Sequence, residues 1–164
     1  MSALYAIAGF IVVERLAELA FATRNTRRLK ARGAIEAGAR HYPLLIALHA
    51  GWLAALVLTV PADAPANLPL VGVFAALQAA RLWVIASLGE RWTTRVIVLA
   101  GAPLVTTGPY RFLRHPNYAV VCCEIAVVPL IFGAWEIALA FSVLNLALLR
   151  HRVRVEDAAL GRGG

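Results

Sequence analysis

Apolar residues fall along this chain in five runs, at about 2–22, 43–60, 68–88, 118–133 and 135–150, separated by short polar stretches. A helix crossing a bilayer needs roughly 20 apolar residues, and somewhat fewer where the bilayer thins. Each run therefore predicts a spanning helix. Only Gly133-Ala134 divides the last two, which predicts a tight helical hairpin. A further apolar stretch, Val96–Val105, is broken by Gly101 and Pro103 and is too short to span. It is expected to lie at the interface or to fold over a site. The predicted fold class is all-α: a polytopic membrane helical bundle of about five transmembrane helices. One domain over 1–164 is expected, with a three-span part (1–88) and a part that carries the chemistry (89–164).

Composition sharpens this picture. Hydrophobic residues make up 61% of the chain and charged residues only 15%, against about a quarter in soluble domains. The net charge of +7 raises the possibility of nucleic acid, but the basic residues sit beside the apolar runs, so no nucleic-acid partner is expected. Arg24, Arg27, Arg28, Lys30, Arg32 and Arg40 follow the first run. Arg91, Arg95, Arg111 and Arg114 follow the third, and Arg150, Arg152, Arg154 and Arg162 follow the fifth. The opposite loop, 61–67, holds Asp63 and no base. The positive-inside rule then places the N-terminus outside and the C-terminus in the cytosol. The first run lacks a basic n-region and a small-residue cleavage site, and reads as a retained span. Cys122 and Cys123 are adjacent within an apolar run, and His41 and His49 lack ligand spacing, so neither a disulfide framework nor a metal site is expected.

Two polar patches hold the candidate chemistry, and both fall on the predicted cytosolic side. The first is Gly108-Pro-Tyr-Arg-Phe-Leu-Arg-His-Pro-Asn-Tyr118. Pro109 and Pro116 exclude a continuous helix, and Gly108 permits a tight turn. Tyr110, Phe112, His115 and Tyr118 offer flat surfaces to a planar group, while Arg111 and Arg114 can meet an anion. Interfacial anchoring explains any one of these residues, but not the whole set. The second patch is Arg150-His-Arg-Val-Arg-Val-Glu-Asp157. Arg152 and Glu156 are four apart on one helix face, and spacing alone favours an ordinary intrahelical ion pair. Glu14, Arg15, Glu18, Arg81 and Glu124 lie inside spans, where ionisable groups face a protein interior. Pairing between spans, with Arg81 neutralising Glu14 or Glu18, is the expected role. His49 is expected to be a hydrogen-bonded packing residue. Trp52, Trp83, Trp92 and Trp135 are expected to pack or to anchor at the interface.

The run Gly101–Tyr118, followed by a helical hairpin and Arg152-Val-Arg-Val-Glu-Asp157, resembles the isoprenylcysteine carboxyl methyltransferase family, most closely over 90–160 and in its shorter prokaryotic form. The resemblance implies an S-adenosylmethionine-dependent O-methyltransferase in the bacterial inner membrane. It implies cofactor binding by Leu104, Val105, Tyr110, His115, Pro116, Asn117, Tyr118 and Glu156, with Arg152 facing the anionic group of a lipidic, prenylcysteine-like acceptor. Arg152 and Glu156 would then carry the catalysis. Eukaryotic members have a histidine where this chain has Ala102. A carboxylate acceptor is already ionised at neutral pH, whereas a phenol with a pKa near 10 needs a base, for which the patches offer His115 and His151.

Other readings differ in acceptor or in class. Bacterial members also resemble enzymes that O-methylate alkylpyrone or alkylresorcinol lipids. A small proton-coupled transporter fits short spans with Glu14 in the first, but leaves the long polar segment 89–117 without a role. A nicotinamide-dependent membrane reductase would lack a phosphate-cradling glycine motif.

Overall fold

The computed structural model describes residues 2–161, so Arg162 lies outside the described residues. Among these residues the fold is built from five α-helices: α1 (Ala3–Ala31), α2 (Tyr42–Thr59), α3 (Leu68–Leu88), α4 (Pro116–Ile131) and α5 (Trp135–Ala159). Two three-residue strands, β1 (Ile35–Ala37) and β2 (Val96–Val98), form an antiparallel ribbon with Ile35 opposite Val98. The sequence pattern did not reveal this ribbon, because three residues are too few to establish a period of two. Two stretches are long and apolar enough to cross a membrane, Tyr42–Thr59 and Leu68–Arg91; α4 is a shorter apolar helix.

Leu4 and Ile11 of α1, Leu48, Trp52 and Leu56 of α2, Phe74 of α3, and Ile125, Val128 and Ile131 of α4 form the main core. The outer faces are also apolar, with Val13, Leu58 and Leu139 exposed at 68%, 82% and 60%. Pro129 sits inside α4 and has no N–H to give the carbonyl of Ile125. Trp52 of α2 satisfies that carbonyl through its indole N–H at 3.2 Å. The carbonyl left free by the proline thus becomes a helix–helix contact. His49 pairs its Nδ1 with the Leu45 carbonyl at 2.8 Å, as expected of a packing histidine. The α4–α5 turn is as tight as expected, with Gly133 at φ +71°.

The ionisable residues expected inside the spans meet in one cluster. Arg81 is 1% exposed and pairs with Glu124, with Glu18 at 3.4 Å and with Glu14 at 3.9 Å. Arg15 pairs with Glu18 at 2.6 Å and with Glu124 at 2.7 Å, and Gln78 donates to Glu124 at 2.7 Å. The expected Arg81 pairing is present, and Glu124 is its hub. Three carboxylates face two guanidiniums, and Glu14 Oε2 is buried without a partner. The cluster joins α1, α3 and α4, so it locks the N-terminal helices to those that carry the candidate site.

Candidate active site

The C-terminal ends of α1, α3 and α5 and the start of α4 converge at one end of the bundle. Asn25 of α1, 1% exposed, ties that helix to the segment just after α3 by donating to the carbonyls of Gly89 and Trp92 at 3.1 and 3.0 Å. Between these ends lies a cavity of about 620 Å³, within the usual range for small-ligand sites. Residues 95–105 form much of its wall, so the interrupted apolar stretch folds over the cavity.

Gly108 opens a 3₁₀ turn, Gly108–Arg111, at φ +60°, and packs so closely on α3 that an added Cβ would lie 2.2 Å from Ser87 Oγ. Both a left-handed backbone and a steric clash oppose any side chain there. Gly108→Ala should lower stability by about 1–3 kcal/mol in thermal unfolding, with partial recovery on adding Ser87→Gly.

His115 stands immediately before α4, and Pro116 is its first residue, where a missing N–H costs nothing. This start sets His115, Asn117 and Tyr118 against the last turns of α5. Tyr118 donates a short hydrogen bond to Glu156 and accepts one from Arg152 Nε at 2.8 Å. Arg152, 8% exposed, also donates to the Thr94 carbonyl at 2.7 Å. His115 lies 3.5 Å from Glu156 and 3.2 Å from Asp157, and its ring stacks on Tyr118 with centroids 5.3 Å apart. The intrahelical Arg152–Glu156 ion pair expected from spacing does not form. The Tyr118 hydroxyl stands between the two, leaving a buried guanidinium held by neutral oxygens beside a carboxylate held by His115 and Tyr118.

These contacts set the ionisation. The hydrogen bond to Glu156 raises His115 above its ordinary value, against burial and with help from the Glu156 and Asp157 charges. Burial opposes the Glu156 carboxylate, but hydrogen bonds from His115 and Tyr118, with the charges of His115 and Arg152, outweigh it and lower its value. Burial and the Glu156 charge raise Tyr110, which keeps its hydroxyl protonated. The raised histidine stabilises the fold below its ordinary 6.5 and loses that contribution as pH rises through its higher folded value. The lowered carboxylate contributes above its ordinary 4.5 and loses it as pH falls through its lower folded value. Wild type should therefore exceed His115→Asn in melting temperature most between these two ordinary values, by about 2–4 °C, with the gap narrowing at alkaline pH.

Leu104, Val105, Tyr110, His115, Asn117, Tyr118, Arg152 and Glu156 all line the cavity; Pro116 is buried and does not. Arg114 lines it, whereas Arg111 does not, and Phe112 is 72% exposed outside it. Phe112 is therefore not one of the flat surfaces the sequence suggested. Sequence reasoning missed the wall given by Leu29, Arg32, Gly33 and Ile35, which no motif marks. It also missed Trp92, a buried cavity residue whose indole N–H has no partner. Asn117 Oδ1 is likewise buried and unpartnered. An unused acceptor, an unused donor and a carboxylate with spare acceptor sites fit a ligand that carries both amino groups and acceptor atoms.

Fold and site define a class: a helical protein with an apolar exterior and a polar small-molecule cavity at one end. Residues 70–162 match the isoprenylcysteine carboxyl methyltransferase (ICMT) family, and the chain belongs to it. It is 39% identical over 156 residues to the uncharacterized protein YpbQ of Bacillus subtilis (strain 168), covering 93% of each chain. It is 26% identical over 156 residues to an uncharacterized protein of Haemophilus influenzae, covering 92% of this chain and 90% of that one. No solved structure matches. Membership suggests a methyltransferase, whose family enzymes use S-adenosylmethionine, and together with the two long apolar helices it suggests a membrane protein.

Proposed function

We propose that this chain is an integral membrane O-methyltransferase that uses S-adenosylmethionine to methylate an oxygen anion on a lipidic acceptor at the cytosolic membrane surface. The observation that carries this reading is the Arg152–Tyr118–Glu156 relay in a cavity at the end of an apolar bundle. A site at that level admits both a water-borne cofactor and an acceptor whose tail remains in the bilayer. Five spans with the C-terminus cytosolic suit the exposed apolar flanks and the basic residues beside them. Residues 1–164 act as one domain in this reading, because Arg15 and Glu124 join its two parts.

Bound S-adenosylmethionine supplies an electrophilic methyl group on a sulfonium. Glu156 presents a carboxylate to the cofactor's cationic or hydroxyl groups, and His115 and Tyr118 keep that carboxylate ionised and oriented. Leu104, Val105, Tyr110 and Asn117 surround the remainder. Arg152 is fixed through Tyr118 and the Thr94 carbonyl, and it orients the acceptor's oxygen anion. A carboxylate acceptor asks no proton transfer of the protein. Among the described residues His115 is the imidazole that lines the cavity, and Glu156 and Asp157 already engage it, which favours an acidic acceptor over a phenol.

The test is transfer of labelled methyl from S-adenosylmethionine to bacterial membrane lipids by purified protein. The label is expected in the lipid phase and should be released by mild base as an ester. A base-stable label would replace the carboxylate with an enol or phenol, as in alkylpyrone or alkylresorcinol lipids. No transfer by folded protein would remove the reading.

A further inference from the structure

The cavity holds more positive charge than its proposed cofactor requires. Arg32, Arg91, Arg95, Arg114 and Arg152 line it, and Glu156 is the lining carboxylate among the described residues. S-adenosylmethionine is itself a net cation, with a sulfonium and an ammonium against one carboxylate. Like charges brought close together oppose binding.

Three of the arginines have evident work. Arg95 pairs with Glu36 at 2.6 Å, Arg91 donates to the Pro103 carbonyl, and Arg152 belongs to the relay. The side chains of Arg32 and Arg114 are exposed and make no ion pair or hydrogen bond among the described residues. They come from separate segments, one just past α1 and one just before α4, and both face the same cavity. Arg32 also lies outside the residues matched by the family model.

We propose that Arg32 and Arg114 form an anion subsite at the mouth of the cavity. It takes a second acidic group, a carboxylate or phosphate, on the lipidic acceptor, and its occupation strengthens cofactor binding. This rests on the methyltransferase reading above. The acceptor is then an amphiphile with at least two acidic functions, one at Arg152 and one at the rim. Filling the subsite offsets the charge that opposes the cationic cofactor, and linkage makes the benefit mutual. Both arginines are exposed, so the effect is moderate and screened by salt.

The experiment is calorimetric titration of S-adenosylmethionine into the full chain in neutral phosphatidylcholine nanodiscs. It is run with no addition, with dodecanol, with dodecanoate and with the dicarboxylate dodecylsuccinate. The dicarboxylate is expected to raise cofactor affinity about tenfold at low salt, dodecanoate less, and dodecanol not at all. The double variant Arg32→Ala/Arg114→Ala should reduce the dicarboxylate's effect to that of dodecanoate. Arg111→Ala removes the same charge from the same loop outside the cavity and should leave the effect intact. Arg32→Lys/Arg114→Lys should retain part of it.

Equal enhancement in wild type and the alanine double variant overturns the subsite. Phosphatidylglycerol nanodiscs without additive also overturn it if they reproduce the full, arginine-dependent gain, because the anion would then be a bilayer headgroup. Absence of cofactor binding in every arm is the failure of the methyltransferase reading. In that case direct titration of dodecylsuccinate still decides the subsite: binding weakened by the double variant supports it, and unchanged binding overturns it.

Discussion

Arg81→Met is expected to destabilise the protein by about 3–5 kcal/mol, enough to abolish accumulation of folded protein at growth temperature. Arg81 is 1% exposed and touches carboxylates from α1 and α4. Its removal leaves Glu14, Glu18 and Glu124 buried around Arg15 alone. Methionine fills a similar volume, so the loss reports charge rather than a void. Pairing Arg81→Met with Glu124→Gln should recover part of it, because one stranded carboxylate is then neutral. Glu14→Gln should cost least, since Glu14 Oε2 has no partner and its other oxygen is 3.9 Å from Arg81. Thermal unfolding in one detergent reads all three. A change under about 1 kcal/mol in Arg81→Met would show that water or lipid solvates these carboxylates, and that the cluster does not hold the bundle.

Glu156→Ala and Arg152→Ala are expected to fail in different ways, although one tyrosine hydroxyl connects the two residues. Removing the carboxylate removes a charged hydrogen-bond acceptor, worth about 1.5–3 kcal/mol, and should weaken cofactor binding by about 10- to 100-fold. Removing the guanidinium leaves the Tyr118–Glu156 hydrogen bond in place. Cofactor affinity should then stay within about threefold, while methyl transfer slows by about 10²–10³-fold, as on loss of one anion-orienting donor. Calorimetry with cofactor and single-turnover transfer separate the two. Equal loss of cofactor affinity in both variants would mean that Arg152 serves only to position Glu156.

The sequence was most legible where a pattern is long. The five apolar runs correspond to five helices, and Gly133 to the turn between the last two. The loop 108–118 stood out because prolines and aromatic residues in a polar segment have few structural reasons to be there. Leu104, Val105, Arg152 and Glu156 were assigned to the site only through the family resemblance, and all four line the cavity. Partnerships were not legible. A spacing of four suggested that Arg152 pairs with Glu156, but a tyrosine from another helix takes the place between them. Nothing in the order of residues says that Trp52 caps the carbonyl freed by Pro129, or that Glu124 is shared by two arginines. The N-terminal wall of the cavity was missed because β1 pairs with β2 far along the chain, Ile35 with Val98, over only three positions.

The most direct measurement is S-adenosylmethionine binding to purified wild-type protein in nanodiscs, with Glu156→Ala of matched folding as the reference. Saturable binding near one equivalent, weakened at least about tenfold in the variant, is the expected result. Wild-type protein with an intact helical signal that takes up no cofactor would contradict the methyltransferase assignment at its root.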